Sequence, residues 1–197
     1  MVKLYLLIFA VSAVCTAGCV TDKQNNMEGS KMKEIKLKGN PIHISGNLPA
    51  NDSSAPDFVL TKTDMSDVSL KDFKGKKVVL NVFPSVDTPV CAMSVRKFNE
   101  EASKLGNTVV LCISEDLPFA QARFCGTEGI KNVVLLSDMR KRDFGKKYGI
   151  EIVDGPIAGL LARSVIILDE NGKVKYTQLV PEIAQEPDYE AVLQALR

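Results

Sequence analysis

Short, nearly continuous apolar runs constrain the fold of this chain more than any other feature of its sequence. They lie at 77–83 (KVVLNVF), 107–114 (NTVVLCIS), 133–136 and 164–168 (SVIIL). Runs of this length without polar alternation are typical of strands that are buried on both faces of a sheet. Helix-like stretches separate the runs, and strands that alternate with helices indicate an α/β domain. The sequence therefore predicts a mixed central sheet flanked by helices.

Weaker patterns complete the predicted order of elements. Apolar and polar residues alternate over 34–45 on either side of Gly39-Asn40, which predicts a β-hairpin at the start of the folded region. Asn171-Gly172 predicts a second hairpin turn near the end of the chain. Further strands are predicted at 58–61 and 174–180, and helices at 90–105, 117–126, 143–148 and 189–196.

Composition and charge exclude several classes of function. The chain has 197 residues, of which 45% are hydrophobic and 25% charged, the profile of an ordinary globular protein of one domain. Its 25 basic and 24 acidic residues leave a formal net charge of +1. Such a small charge argues against nucleic acid or an acidic membrane surface as a partner. His43 is the only histidine, which excludes a histidine-rich metal site.

The N-terminal residues predict export. Lys3 precedes an apolar run at 4–14 and a stretch of small residues that ends in TAGC at 16–19. A charged start, a short apolar run and a small-residue cleavage zone are typical of a secretory signal peptide, here 1–18. The ending resembles a bacterial lipobox, in which Cys19 would carry lipid and anchor the protein to a membrane of the cell envelope.

The rest of the chain divides into a tether and one domain. Polar residues dominate 19–33, which we expect to be a flexible tether, and the folded domain is predicted at 34–197. Two alternatives to lipidation remain open. The leader could be a plain signal peptide with an incidental Cys19, or translation could begin at Met27 or Met32, which would leave the protein in the cytoplasm.

The cysteine count argues against a structural disulfide framework. Cys15 falls in the predicted signal peptide and Cys19 directly follows it, so three cysteines remain in the folded part: Cys91, Cys112 and Cys125. Three is an odd number and too few for such a framework. No Cys-x-x-Cys occurs, which excludes a zinc ribbon and a thioredoxin-type redox motif.

Cys91 is the best candidate for a reactive thiol. The segment 83–91 leaves a buried strand and enters a helix, and Pro89 suits the first helical turn. The side chain of Thr88 or Asp87 could cap the free amides there. In the first turn, unpaired N–H groups and the helix dipole favour a negative charge, so a thiolate at Cys91 would be stabilised. The alternative is an unreactive buried cysteine.

The other two cysteines have different surroundings. Cys112 interrupts an apolar strand at 109–113, which predicts a role in core packing. Cys125 lies near the end of the next predicted helix, at 117–126. Their separation in sequence does not decide whether Cys125 meets Cys91, although adjacent βα units do place successive helices near one another.

Several motifs resemble one family. Pro84, Thr88 and Cys91 form P-x-x-x-T-x-x-C, which resembles the active-site signature of the peroxiredoxins. Four longer segments resemble the thiol peroxidase branch, an atypical two-cysteine group, and they occur in the right order at 81–99, 109–129, 154–170 and 179–191. The resemblance extends from about residue 34 to the C-terminus. It implies a thioredoxin-like fold with an added N-terminal hairpin.

The resemblance also implies a role for five residues. Cys91 matches the peroxidatic cysteine and Cys125 the resolving cysteine. Thr88 would hydrogen-bond the thiolate and the incoming peroxide, and Pro84 would shield the pocket from water. Arg163 would place its guanidinium beside the sulfur; without the resemblance it would be interpreted as a surface cation next to a strand.

The implied reaction uses protein thiols alone. Cys91 would reduce a hydroperoxide and become a sulfenic acid, Cys125 would then form a disulfide with it, and a thioredoxin-like dithiol would restore both thiols. No metal, haem or flavin is expected as a cofactor. The resemblance further implies a homodimer.

Apolar residues near Cys91 bear on the substrate. They would suit an organic hydroperoxide better than hydrogen peroxide, or they could equally be ordinary core: Val86, Val90, Met93, Phe119 and Phe124.

Two other functions remain as rivals. A thiol–disulfide oxidoreductase on a thioredoxin-like fold would explain an exported redox protein, but it normally requires the missing Cys-x-x-Cys. A non-catalytic lipoprotein module would leave Cys91 and Cys125 as ordinary thiols. The joint presence of Pro84, Thr88 and Arg163 with both cysteines argues against that module.

Overall fold

The computed structural model describes residues 32–197. The signal peptide predicted at 1–18, the lipidation predicted at Cys19, the alternative start at Met27 and nearly all of the tether at 19–33 lie outside the described residues. Within 32–197, no helix is long and apolar enough to cross a membrane.

The described residues alternate strands with helices, as predicted. The strands are β1 (Lys33–Leu37), β2 (Asn40–Ile44), β3 (Val59–Lys62), β4 (Asp67–Ser69), β5 (Lys77–Val82), β6 (Thr108–Ser114), β7 (Val134–Ser137), β8 (Ser164–Leu168) and β9 (Val174–Leu179). The helices are α1 (Pro89–Ala102), α2 (Pro118–Glu128), α3 (Phe144–Lys147) and α4 (Tyr189–Ala195), and a short 3-10 helix spans Leu70–Phe73. Every predicted strand and helix is present, whereas the short strand β4 was not predicted.

The sheet is mixed, which confirms the predicted fold class. Its strands lie in the order β4-β3-β7-β6-β5-β8-β9, and β1 and β2 form a separate two-stranded hairpin. The three central strands β5, β6 and β7 run parallel, while β3, β8 and β9 join antiparallel on the outside. The N-terminal hairpin expected at 34–45 is therefore present as β1 and β2.

Residues of the central strands alternate between two apolar cores. In β5, Val78 and Leu80 face the core that contains the hairpin and α3, whereas Val79 faces the core beneath α1, α2 and α4. Both faces are covered, which is why these strands read as continuous apolar runs. Cys112 of β6 and Cys91 of α1 both belong to the second core.

The register of β5 brings three separate segments to one edge of the sheet. Val82, the last residue of β5, lies opposite Ile113 of β6 and Ser164 of β8. The loop before α1, the loop before α2 and the residue before β8, Arg163, therefore meet at the carboxyl ends of the parallel strands. In open α/β sheets this edge is where ligands bind.

Gly149 generates a stability prediction. Its φ is 69°, and a Cβ there would clash with the carbonyl oxygen of Asn47. Left-handed backbone strain and a backbone clash should together make Gly149→Ala lower the free energy of unfolding by about 2–4 kcal/mol. Gly106→Ala is the matched control, because no atom lies within 4 Å of a Cβ there. Urea denaturation measures both, and equal stabilities would contradict the close approach.

Candidate active site

Cys91 lies in the first turn of α1, as predicted. The helix begins at Pro89, with Thr88 as its N-terminal cap residue by position. The Cys91 side chain is buried, with 0% of the residue exposed, and its thiol is not in a disulfide. The free amides and the dipole of this helix start favour negative charge on a group held there.

Thr88 contacts the sulfur and not the helix amides. The prediction that the side chain of Thr88 or Asp87 caps the helix is wrong, since the Thr88 side chain makes no capping hydrogen bond and Asp87 pairs with Arg123 at 3.1 Å. Thr88 Oγ1 lies 2.8 Å from Cys91 Sγ and 3.1 Å from the carbonyl oxygen of Ser85. The sulfur therefore takes the place of the backbone amide that a capping hydroxyl usually binds.

Arg163 reaches the same sulfur from the other side. Its Nη2 lies 3.3 Å from Cys91 Sγ, and only 2% of the residue is exposed. Nε and Nη2 both donate to the carbonyl oxygen of Ile183, at 3.0 and 2.9 Å. Within the described part of the chain, Nη1 is buried without a hydrogen-bond partner. The guanidinium is thus fixed at the sulfur, and the N–H donors of Nη1 are unused.

The anchor of Arg163 is itself held to α1. Ile183 lies in the segment between β9 and α4, and Glu186 of that segment pairs with Lys97 of α1 at 3.0 Å. The ring of Tyr189 packs edge-on against Phe98 of α1, with centroids 5.5 Å apart. The helix that carries Cys91 is therefore joined to the chain segment that follows Ile183 by an ion pair and an aromatic contact.

Pro84 and the apolar residues singled out near Cys91 differ in burial. Pro84 is buried two residues after the end of β5, and Val86 and Phe124 are buried as well. Met93 and Phe119 are instead 40% and 65% exposed. The five apolar residues singled out in the sequence are therefore not all core, because these two present apolar surface to solvent and Val90 is half-buried.

Cys125 and Cys112 differ as the sequence predicts. Cys125 lies in α2, half-buried, and packs against the core that contains Cys91; burial raises the pKa of its thiol above the ordinary value. Cys112 is fully buried in β6, and burial raises the pKa of its thiol to about 12. Its Sγ accepts a hydrogen bond from Asn81 Nδ2 at 3.5 Å, so Cys112 is part of the core.

Three groups of the site were missed by the sequence analysis. They are the carboxylate of Asp116, the Ser85 main chain and side chain that it holds, and the carbonyl of Ile183. Ser85 and Ile183 act largely through backbone atoms, which carry no residue-type signal. Asp116 did carry one, because a carboxylate directly after a buried strand lies at the ligand-binding edge of such a sheet.

Solved structures define the class to which this fold belongs. A peroxiredoxin-like protein from Aquifex aeolicus superposes with a TM-score of 0.79 and 42% identity, over 84% of this chain and 96% of that one. A thiol peroxidase from Chromobacterium violaceum has a TM-score of 0.77 over 83% and 94%, and at 24% identity it supports the fold alone. The chain has the thioredoxin-like fold of the peroxiredoxins.

Sequence comparison identifies the family within this class. The family model described as Redoxin matches residues 50–193. A thiol peroxidase from Mycobacterium bovis is 58% identical over 165 residues, which cover 84% of this chain and 99% of that protein. The chain belongs to the Redoxin family, in the thiol peroxidase branch of the peroxiredoxins, and it is a peroxidase of the peroxiredoxin type.

Proposed function

We propose that the protein reduces hydrogen peroxide and organic hydroperoxides through a sulfenic acid at Cys91 and a disulfide between Cys91 and Cys125, which a thioredoxin-like dithiol then reduces. The observation that carries this proposal is the convergence of Thr88 Oγ1 and Arg163 Nη2 on Cys91 Sγ, at 2.8 and 3.3 Å. Two donors and a helix start at one buried sulfur favour the thiolate, which is the nucleophilic form.

In the first step, the Cys91 thiolate attacks one oxygen of the hydroperoxide and breaks the O–O bond. The sulfur takes up that oxygen with its hydrogen and becomes a sulfenic acid, while the other oxygen leaves as alkoxide or hydroxide and takes a proton from solvent. Negative charge thus moves from the sulfur onto the leaving oxygen. Donors that already lie at the sulfur are suited to follow this charge without reorganising.

Arg163 and Thr88 are the donors suited to this task. The unused Nη1 of Arg163 supports a contact to a peroxide oxygen, since a buried guanidinium N–H without a partner is otherwise costly. Pro84 is buried in the loop before Cys91, and Val86 belongs to the same buried apolar cluster as Cys91. We assign to Pro84 the exclusion of water, which strengthens the electrostatic interactions within the pocket.

In the second step, Cys125 attacks the sulfenic sulfur, which forms the disulfide and releases water. Cys125 lies in α2, and two ion pairs join this helix to the segment around Cys91: Arg123 with Asp87 at 3.1 Å and Arg96 with Glu128 at 2.8 Å. We infer that the first turn of α1 opens for this step, since Cys91 is fully buried.

The proposal also names the substrate and the reductant of the protein. The exposed apolar side chains of Met93 and Phe119 support organic hydroperoxides as substrates beside hydrogen peroxide. A thioredoxin-like dithiol completes the cycle by exchange with the disulfide. The homodimer implied by the resemblance stays a prediction.

The two cysteine roles generate an activity prediction. With thioredoxin, its reductase and a nicotinamide donor, the wild-type protein should consume cumene hydroperoxide and hydrogen peroxide continuously. Cys91→Ser should abolish consumption because it removes the nucleophile, and Cys125→Ser should limit it to one turnover because the sulfenic acid cannot be resolved. Cys112→Ala is the matched control and should retain turnover, since that thiol is buried in the core. Activity that survives Cys91→Ser would rule out the proposed nucleophile.

The Cys125 thiol generates a pH prediction. Because burial raises its pKa, the thiol is almost wholly protonated near neutral pH, and its thiolate fraction grows about tenfold per pH unit below that pKa. Disulfide formation after one equivalent of peroxide should therefore accelerate from pH 6 to pH 8. Rapid quenching with an alkylating reagent, followed by mass spectrometry, measures the rate. A rate that stays flat would mean that opening of α1, and not ionisation of Cys125, limits this step.

We also propose that the protein is exported to the bacterial cell envelope and lipidated at Cys19, on the support of the leader sequence alone. The full-length chain should then fractionate with membranes, and Cys19→Ser should release it from them. Cys15→Ser is the matched control, because it changes the other leader cysteine and should keep the protein in the membrane fraction. Recovery of all three forms in the cytoplasm would favour a start at Met27 or Met32.

A further inference from the structure

The carboxylate of Asp116 binds the loop that precedes Cys91. Oδ1 accepts a hydrogen bond from Ser85 Oγ at 2.7 Å, and Oδ2 accepts from the Val86 amide at 2.8 Å. Ser114 Oγ also donates to Oδ2 at 2.8 Å, so the carboxylate is held from its own strand end. Asp116 is thus a fixed point that binds two successive residues of the loop.

The bound residue Ser85 in turn holds Thr88. The carbonyl oxygen of Ser85 accepts from the Thr88 amide at 3.2 Å and lies 3.1 Å from Thr88 Oγ1. Ser85 Oγ, besides donating to Asp116, accepts from the Asp87 amide at 3.2 Å. The loop is therefore a compact turn whose first residue is fixed by Asp116 and whose last residue presents its hydroxyl to Cys91.

The Thr88 hydroxyl has one hydrogen and two neighbours that can accept it. When Cys91 is a thiol, its S–H can donate to Thr88 Oγ1, which donates to the Ser85 carbonyl. When Cys91 is a thiolate, the hydroxyl hydrogen turns to the sulfur, and the carbonyl keeps the Thr88 amide as its donor. Both states need the Ser85 carbonyl in its present place, because it sets the position of Thr88 Oγ1.

We propose that Asp116 is a positioning residue of the peroxidase reaction, which aims the Thr88 hydroxyl at Cys91 by fixing Ser85 and Val86. The inference rests on the proposed function, in which Cys91 is the nucleophile and Thr88 its donor. Asp116 itself touches neither the sulfur nor the substrate. Its effect on the rate therefore passes through Thr88.

A merely structural role of Asp116 makes a different prediction. The Asp116 carbonyl accepts from Ser137 Oγ at 2.5 Å, and Ser114 Oγ accepts from Gln121 of α2 at 3.1 Å, so this corner also joins β6, β7 and α2. If Asp116 only supported the fold, its removal would lower the rate independently of Thr88. The two losses would then multiply in a double variant.

The experiment is a double-mutant cycle on the first step. Cys91 oxidation by hydrogen peroxide is measured by rapid quenching and mass spectrometry, since the chain has no tryptophan to report it. Thr88→Val should lower the second-order rate constant about a hundredfold, as loss of a donor to developing charge does. Asp116→Ala should lower it about tenfold, and the double variant should be no slower than Thr88→Val alone. Losses that multiply would overturn the proposal.

Two further variants keep the test decisive. Asp116→Asn keeps one acceptor oxygen and should recover part of the Asp116→Ala loss, and a variant as slow as Asp116→Ala would count against positioning by hydrogen bonds. Ser85→Ala removes the hydrogen bond to Asp116 Oδ1 and the one that Ser85 Oγ accepts from the Asp87 amide, and it supplies the same cycle with Thr88→Val if Asp116→Ala does not fold. Its loss should likewise vanish in the Thr88→Val background.

The controls separate the two proposals. Asp72→Ala removes a carboxylate that accepts from the amide and the hydroxyl of Ser69 but does not touch the loop, and its oxidation rate should equal that of the wild type. Cys91→Ser, run in parallel, tests the proposed function. If peroxide consumption survives Cys91→Ser, Cys91 is not the nucleophile, whatever the double-mutant cycle shows. If Cys91→Ser abolishes consumption but the rate losses of Thr88→Val and Asp116→Ala multiply, only the proposed role of Asp116 is contradicted.

Discussion

In the proposed reaction the site depends on one constraint, which is that a fully buried sulfur must be able to hold negative charge. Cys91 is 0% exposed, so no water compensates a thiolate there. Compensation has to come from the protein, and it comes from the start of α1, the Thr88 hydroxyl and the Arg163 guanidinium. The guanidinium is buried too, and it is tolerable only because the Ile183 carbonyl takes two of its donors. The Cys91 sulfur, the Arg163 guanidinium and the Ile183 carbonyl therefore form one unit.

This unit can exist because the strand register brings distant parts of the chain together. Val82 ends β5 opposite Ser164, which puts Arg163 beside the loop that leaves β5. Parallel pairing with β6 delivers Asp116 to the same edge, where its carboxylate meets the Ser85 hydroxyl. The antiparallel strand β8 is therefore as necessary to the chemistry as the parallel pair. If β8 ran parallel to β5, it would begin at the opposite edge of the sheet, and Arg163, the residue before it, would not lie at this edge.

The sequence predicts the strands and the position of Cys91 better than it predicts the partners of Cys91. Apolar runs and Pro89 carry local physical signals, so the central strands and the start of α1 could be predicted from the residues themselves. Arg163 could be assigned only through the family resemblance, because its contact to Cys91 spans 72 residues of chain. The prediction of a side-chain cap was wrong for a related reason. Local propensity favours a hydrogen bond between the Thr88 side chain and a helix amide, but in the folded site the Thr88 hydroxyl binds the sulfur of Cys91. Asp116 was missed because its partners are brought near only by sheet pairing.

The proposed reaction also requires the site to combine a fixed geometry with a segment that can open, and the interactions around Cys91 fall into two groups that suit these needs. The bonds that aim Thr88, from Asp116 to Ser85 and Val86, are partly buried. The ion pair of Arg123 with Asp87 is largely exposed, and such surface pairs contribute only about 0–1 kcal/mol. Separating α2 from this loop at that pair therefore costs little, whereas distorting the loop costs more. In the proposed mechanism, an opening that begins at this exposed ion pair and leaves the Asp116 contacts intact would let the two thiols approach while the loop that carries Thr88 keeps its geometry for the next peroxide.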